Sequence, residues 1–128
     1  MNKSTIEKTS IIDLINKRKE SFFQDIVYRV KINLHEFISY AQICQLITKE
    51  LNVEVSFTKD SRGFLYINMF VYFDDTKETV TYHILNETKG VNYEILSQIV
   101  ENIKNFFIKE NFETKCDDNI IKATLKLK

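Results

Sequence analysis

Apolar positions recur along the 128 residues with two alternating periods, one helical and one extended, and the changes of period mark the element boundaries. Ser10 followed by Asp13 reads as a helix N-cap with an acid in the first turn, and Ile11, Ile12, Ile15, Phe22 and Phe23 fall on one helical stripe behind it. This predicts a helix over 10–24. From Ile26 the period becomes two: Ile26, Tyr28, Val30, Ile32 and Leu34 alternate with Arg29, Lys31 and Asn33, which predicts a strand over 25–34. Helical spacing also links Phe22, Phe23, Ile26 and Val30, so extension of the first helix through this segment is the alternative. Asn33 with Glu36 has the capping-box pattern, and Phe37, Ile38, Tyr40, Ala41, Cys44, Ile47 and Leu51 describe a wide apolar arc, predicting a second helix over 34–51 covered on two sides.

Three strands are expected next. Val53, Val55 and Phe57 alternate up to a turn at 59–63, the segment 64–73 follows, and a turn at 74–78 leads into 79–85. The 64–73 segment is apolar at both parities, the signature of a strand covered on both faces. Asn92 is a cap candidate for a third helix, whose Leu96, Ile99, Val100, Ile103, Phe106 and Phe107 form the clearest stripe in the chain. A closing hairpin, 112–116 with 120–127, completes the order α-β-α-βββ-α-ββ. Its second strand points lysines outward, a device that keeps an edge strand from pairing. The expected fold class is α+β, a mostly antiparallel sheet packed by two or three helices. Residues 1–9 are read as a flexible N-terminus and 10–128 as a single domain.

Composition narrows the function classes. The length suits one self-sufficient core, and 18 basic against 18 acidic side chains leave no global field to draw the chain onto nucleic acid or an anionic membrane. No apolar run approaches a membrane span and no export signal opens the chain. Cys44 and Cys116 lie far apart without a pairing pattern, which suits free thiols in a reducing compartment. A cytoplasmic location is expected, the host's for a phage- or virus-encoded chain. Abundant Ile, Lys and Asn, with no Pro or Trp, follow A/T-rich codons and suggest a low-GC bacterium or a phage, plasmid or virus of such a host.

Candidate chemistry is sparse. His35 and His83 have no Cys, Ser or acid at a spacing that defines a triad or metal site and read as surface residues. Asp74-Asp75 and Asp117-Asp118 sit in turns, where Asp is favoured for its backbone hydrogen bonds. Glu113-Thr114-Lys115 is similar to the acid-x-lysine element of metal-dependent nucleases, without the upstream aspartate that should accompany it. Only Gly63 and Gly90 are present, which excludes Gly-rich phosphate loops. Neither cofactor nor metal is expected, and the chain is read as non-enzymatic.

The segment Arg62-Gly63-Phe64-Leu65-Tyr66-Ile67-Asn68-Met69 resembles the RNP1 element of the RNA-recognition motif, with Leu65 where that family has a small residue. Asn33-Leu34 resembles the close of its RNP2 strand, with Val30 at the aromatic position. The resemblance implies phosphate contact by Arg62 and base stacking on Phe64 and Tyr66. From the second helix onward, α-βββ-α-ββ is similar to the order of type III secretion chaperones, which implies dimers that bind an unfolded segment, and its αβββα core is also the order of double-stranded RNA-binding domains. The leading expectation is a protein-binding module, an inhibitor or adaptor from a phage or mobile element acting on a host protein through Arg62, Phe64, Tyr66, Phe70 and Tyr72. Self-association into a homodimer and an RNA- or single-stranded-DNA-binding role for Arg62 to Met69 are the alternatives, and no membrane partner is expected.

Overall fold

The computed structural model describes residues 3–43, 50–73 and 79–127. A single helix, α1 (Lys3–Ile43), precedes a three-strand meander, β1 (Glu50–Lys59), β2 (Phe64–Phe73) and β3 (Thr79–Lys89). Helix α2 (Tyr93–Lys109) and a hairpin, β4 (Glu113–Asp117) with β5 (Ile120–Lys126), complete a small α+β domain.

The expected strand over 25–34 is helix, and it fuses the two helices predicted on either side of it. The core explains why: Ile26, Val30, Leu34, Phe37 and Ala41 recur every three or four residues and are all at most 4% exposed. Tyr28 and Ile32, which completed the alternating pattern, instead point away from the core, 59% and 42% exposed. With no Pro in the chain and no Gly before Gly63, nothing breaks the helix in this segment. Ser10 therefore lies inside α1, and the helix starts at Lys3. Asn33 does not cap a second helix; its Nδ2 donates to the Arg29 carbonyl at 2.8 Å within α1. The second helix was expected to reach residue 51, but Glu50 and Leu51 already belong to β1. Cys44 and Ile47 on its predicted arc, and the turn at 74–78, lie outside the described residues.

The sheet is antiparallel in the order β3-β2-β1-β5-β4. β1 is central because α2 carries the chain across the sheet and returns it as a hairpin whose second strand pairs β1, Val53 opposite Ala123 and Val55 opposite Ile121. The lysine-bearing β5 is thus interior, and the short, charged β4 is the edge. Asn92 caps α2 as expected, its Oδ1 accepting from Ile95 N–H at 2.8 Å.

Alternation assigns the two faces of the sheet. Leu51, Val53, Val55 and Phe57 of β1, with Leu65, Ile67, Met69, Val71 and Phe73 of β2, share one buried cluster with residues of both helices, among them Val30, Phe37, Ile103 and Phe107. Both helices therefore cover the same face. The expectation that β2 is covered on both faces is corrected: its odd positions are buried and its even positions, Phe64 to Tyr72, are only half-buried. Their partial burial comes from neighbours within the sheet, since the helices lie on the other side.

Candidate functional site: the open face of the sheet

Each residue singled out on β2 lies on the face opposite the helices. Phe64, Tyr66, Phe70 and Tyr72 follow one another at even positions, with Asn68 between them. Arg62 joins them from the β1–β2 turn.

That turn is fixed by Asp60. Gly63 N–H donates to the Asp60 carbonyl and Asp60 N–H to the Phe64 carbonyl, both at 3.1 Å. Gly63 holds φ +87, a backbone conformation that side chains disfavour, so this short hairpin loop needs its glycine. The Asp60 carboxylate accepts from the backbone N–H groups of Arg62 (2.9 Å) and Phe64 (3.1 Å) through Oδ1. Its Oδ2 accepts from Arg62 Nη2 at 2.8 Å, Arg62 Nε at 3.2 Å and the Tyr66 hydroxyl at 3.0 Å. Arg62 also donates to the Tyr66 hydroxyl at 3.1 Å, and its guanidinium carbon stands 4.7 Å from the Phe64 ring centroid, within cation–π range. Glu87 of β3 adds a second carboxylate 3.7 Å from Arg62.

The electrostatics follow from these contacts. Hydrogen bonds from Arg62, above all, and then from the Phe64 backbone and the Tyr66 hydroxyl lower the Asp60 pKa from 3.8 to about 2. Asp60 in turn raises that of Arg62, while desolvation and then Asp60 raise that of Tyr66. Arg62, Phe64 and Tyr66 are thus brought together as a charge-compensated corner, in which Arg62 engages Asp60 and Tyr66 through Nε and Nη2. Sequence reasoning passed over Asp60, although an Asp three residues before a Gly is a turn signal.

Farther along β2, His83 Nδ1 and Asn68 Oδ1 are 2.7 Å apart. Phe70 lies between Glu54 of β1 and Thr81 of β3 in the register. Tyr72 donates to Glu54 at 3.4 Å, and Thr124 donates to Asn52 at 3.1 Å on the same face. The surface alternates aromatic rings with hydrogen-bonded polar pairs.

The remaining candidates are scattered. His35 is exposed on α1, Glu113 and Lys115 are exposed on β4, and Cys116 is an exposed free thiol there. Asp117 ends β4 and Asp118, at φ 53, begins the β4–β5 turn, while Asp74 and Asp75 lie outside the described residues. No group of three or more His, Cys, Asp or Glu that could hold a metal occurs among the described residues. The RNP2-like element fails at its secondary structure: Val30 and Leu34 are buried on α1, so they contribute no strand beside β2.

On the helix side, Phe23, Val27 and Tyr28 of α1 face Asn102 and Phe106 of α2 across a groove of about 690 Å³. No described helix is long and apolar enough to cross a membrane. The chain matches no family model, no curated protein and no solved structure.

Proposed function

We propose that this chain is a non-enzymatic protein-binding module that docks its partner on the open face of the sheet. The observation that carries the reading is the stripe Phe64, Tyr66, Phe70 and Tyr72, partly exposed on the face that neither helix covers. Aromatic residues with a polar rim are what the cores of protein interfaces favour, because rings bury much area at little entropic cost. A rigid strand presents them already ordered.

The choice of protein over nucleic acid rests on charge. Stacking of nucleic-acid bases on the rings needs cations beside them to neutralise the phosphates, whereas Asp60 and Glu87 compensate Arg62, Glu54 adds a third acid beside the stripe, and Lys122 and Lys115 of this face stand farther off on β5 and β4. A protein surface with its own polar edge fits this mixture better than a polyanion. The residue usage adds a setting: an inhibitor or adaptor carried by a phage or mobile element and directed at a host protein in the cytoplasm.

The test is affinity capture from nuclease-treated host lysate with the wild-type chain and with the triple variant Phe64→Thr, Tyr66→Thr, Phe70→Thr. A protein retained by the wild type and lost from the folded variant supports the reading. Identical captures, or a capture abolished by nuclease, would overturn it.

A further inference from the structure

Helix α1 carries a second surface, independent of the open sheet face. At about 1.5 Å per residue it is roughly 60 Å long, and its fully buried row begins at Ile26, with Phe22 and Phe23 partly buried against the same core. Ile11, Leu14, Ile32, Tyr40 and Ile43 are 42–82% exposed. With about 100° per residue, these five share a narrow stripe with Arg18, Phe22, Asp25, Arg29 and Glu36. From Asp25 onward the stripe runs along the flank away from α2, since Phe23, Val27 and Lys31 face the α1–α2 groove, while Arg18 and Phe22 also border a pocket with Glu94 and Ile95 at the start of α2. It borders the β3 edge of the sheet, where Arg29 donates to the Ile84 carbonyl at 3.3 Å and Glu36 helps to raise the Tyr82 pKa, after desolvation.

The order of residues in this stripe is self-complementary when reversed. A two-fold axis level with Val27 sets residues equidistant from it opposite one another across two antiparallel helices. Asp25 then meets Arg29, and Arg18 meets Glu36, each contact occurring twice. Phe22 meets Ile32, Leu14 meets Tyr40 and Ile11 meets Ile43. Every charge faces its opposite and every apolar residue an apolar one. The Asp25–Arg29 pair already formed within each chain, at 3.1 Å, would close with its copy into a ring of four alternating charges at the axis.

We infer that α1 is the interface of a homodimer, in which a second copy of the chain packs antiparallel along this flank. The spacing of the stripe, alternately three and four residues over most of its length, is that of a helix pair crossing at a shallow angle. Self-association accounts for the exposure of Ile11 and Leu14 in the N-terminal half of α1, beyond the fully buried row. It leaves the open sheet face of both copies accessible.

The experiment is sedimentation equilibrium of the full chain under reducing conditions, which excludes disulfide-linked pairs through Cys116. The wild type is expected to be dimeric at micromolar concentration. Arg18→Glu places like charges together at both symmetric contacts and should raise the dissociation constant at least about tenfold, and Ile32→Lys, which leaves the charge pattern otherwise intact, should do the same. Arg18→Glu with Glu36→Arg should restore the dimer. Residues 18 and 36 are roughly 27 Å apart on one helix, so this rescue can arise only between chains. Circular dichroism confirms that each variant keeps its helices. A monomeric wild type, folded single variants that remain as dimeric as the wild type, or a double variant that stays monomeric would overturn the inference.

Discussion

Met69 and Phe70 are adjacent on β2 and point to opposite faces, so the same substitution at each measures how differently the two faces are packed. Met69 is 0% exposed, and replacing it by Thr removes most of a buried side chain, which costs about 2–5 kcal/mol in comparable truncations. A hydroxyl left there without a partner adds about 1–3 kcal/mol. Phe70 is half-buried. Full burial of such a ring contributes about 1.5–3 kcal/mol, so Phe70→Thr puts about 1 kcal/mol of transfer energy at stake. Lost cross-strand contacts with Glu54 and Thr81 add about 0.2–1 kcal/mol. Thr suits a strand at either position, which removes intrinsic propensity from the comparison. Urea unfolding followed by circular dichroism at one fixed protein concentration should therefore separate the two variants by at least about 1 kcal/mol at equal m-values. Equal destabilisation would mean that Phe70 is packed as tightly as Met69, and the open face would not exist.

Three further outcomes follow from local geometry. Asn92→Ala removes the side-chain cap of α2 and should cost about 1 kcal/mol in the same unfolding assay, with Asn92→Gly costing only a few tenths. Gly63→Ala meets no atom within 4 Å, so its cost, about 1–2 kcal/mol, should come only from the positive φ and appear as a lowered urea midpoint with an unchanged m-value. Because folding lowers the Asp60 pKa from 3.8 to about 2, its ionised form stabilises the fold above pH ~4, and that contribution disappears as the pH falls towards 2. The melting-temperature gap between wild type and Asp60→Ala should accordingly be constant at pH 5–7 and narrow between pH 4 and 2; a gap unchanged at pH 2 would contradict the Asp60–Arg62–Tyr66 arrangement.

The five strands as segments, though not their order in the sheet, and α2 were legible in the sequence because local signals and tertiary packing agree there. Val53, Val55 and Phe57 alternate in the sequence and are buried in the structure, and Asn92 both looks like a cap and acts as one. The N-terminal third was misread because Tyr28 and Ile32 are apolar without belonging to the core, and they turned a row spaced by four into an apparent alternation. If α1 pairs with a second copy, Ile32 is apolar for a reason external to the chain, which a single-chain pattern does not separate from core burial. The chemistry of β2 was similarly half-visible. Alternation placed Phe64, Tyr66, Phe70 and Tyr72 on one face, but which face the helices cover depends on the path of α1 and α2 over the sheet. The engagement of Arg62 by Asp60 depends on a side-chain geometry that the loop residues imply only once the turn is identified.

The central claim, that the uncovered sheet face is the working surface, is tested most directly by placing a photo-crosslinking amino acid at Phe70 and, separately, at exposed Glu101 on α2 and at Asn105 in the α1–α2 groove. Irradiation in nuclease-treated host lysate should give a discrete protein adduct from position 70 and none at the same mass from positions 101 and 105. An adduct formed from α2 or the groove while position 70 stays unreacted would move the binding surface off the sheet face and contradict the account.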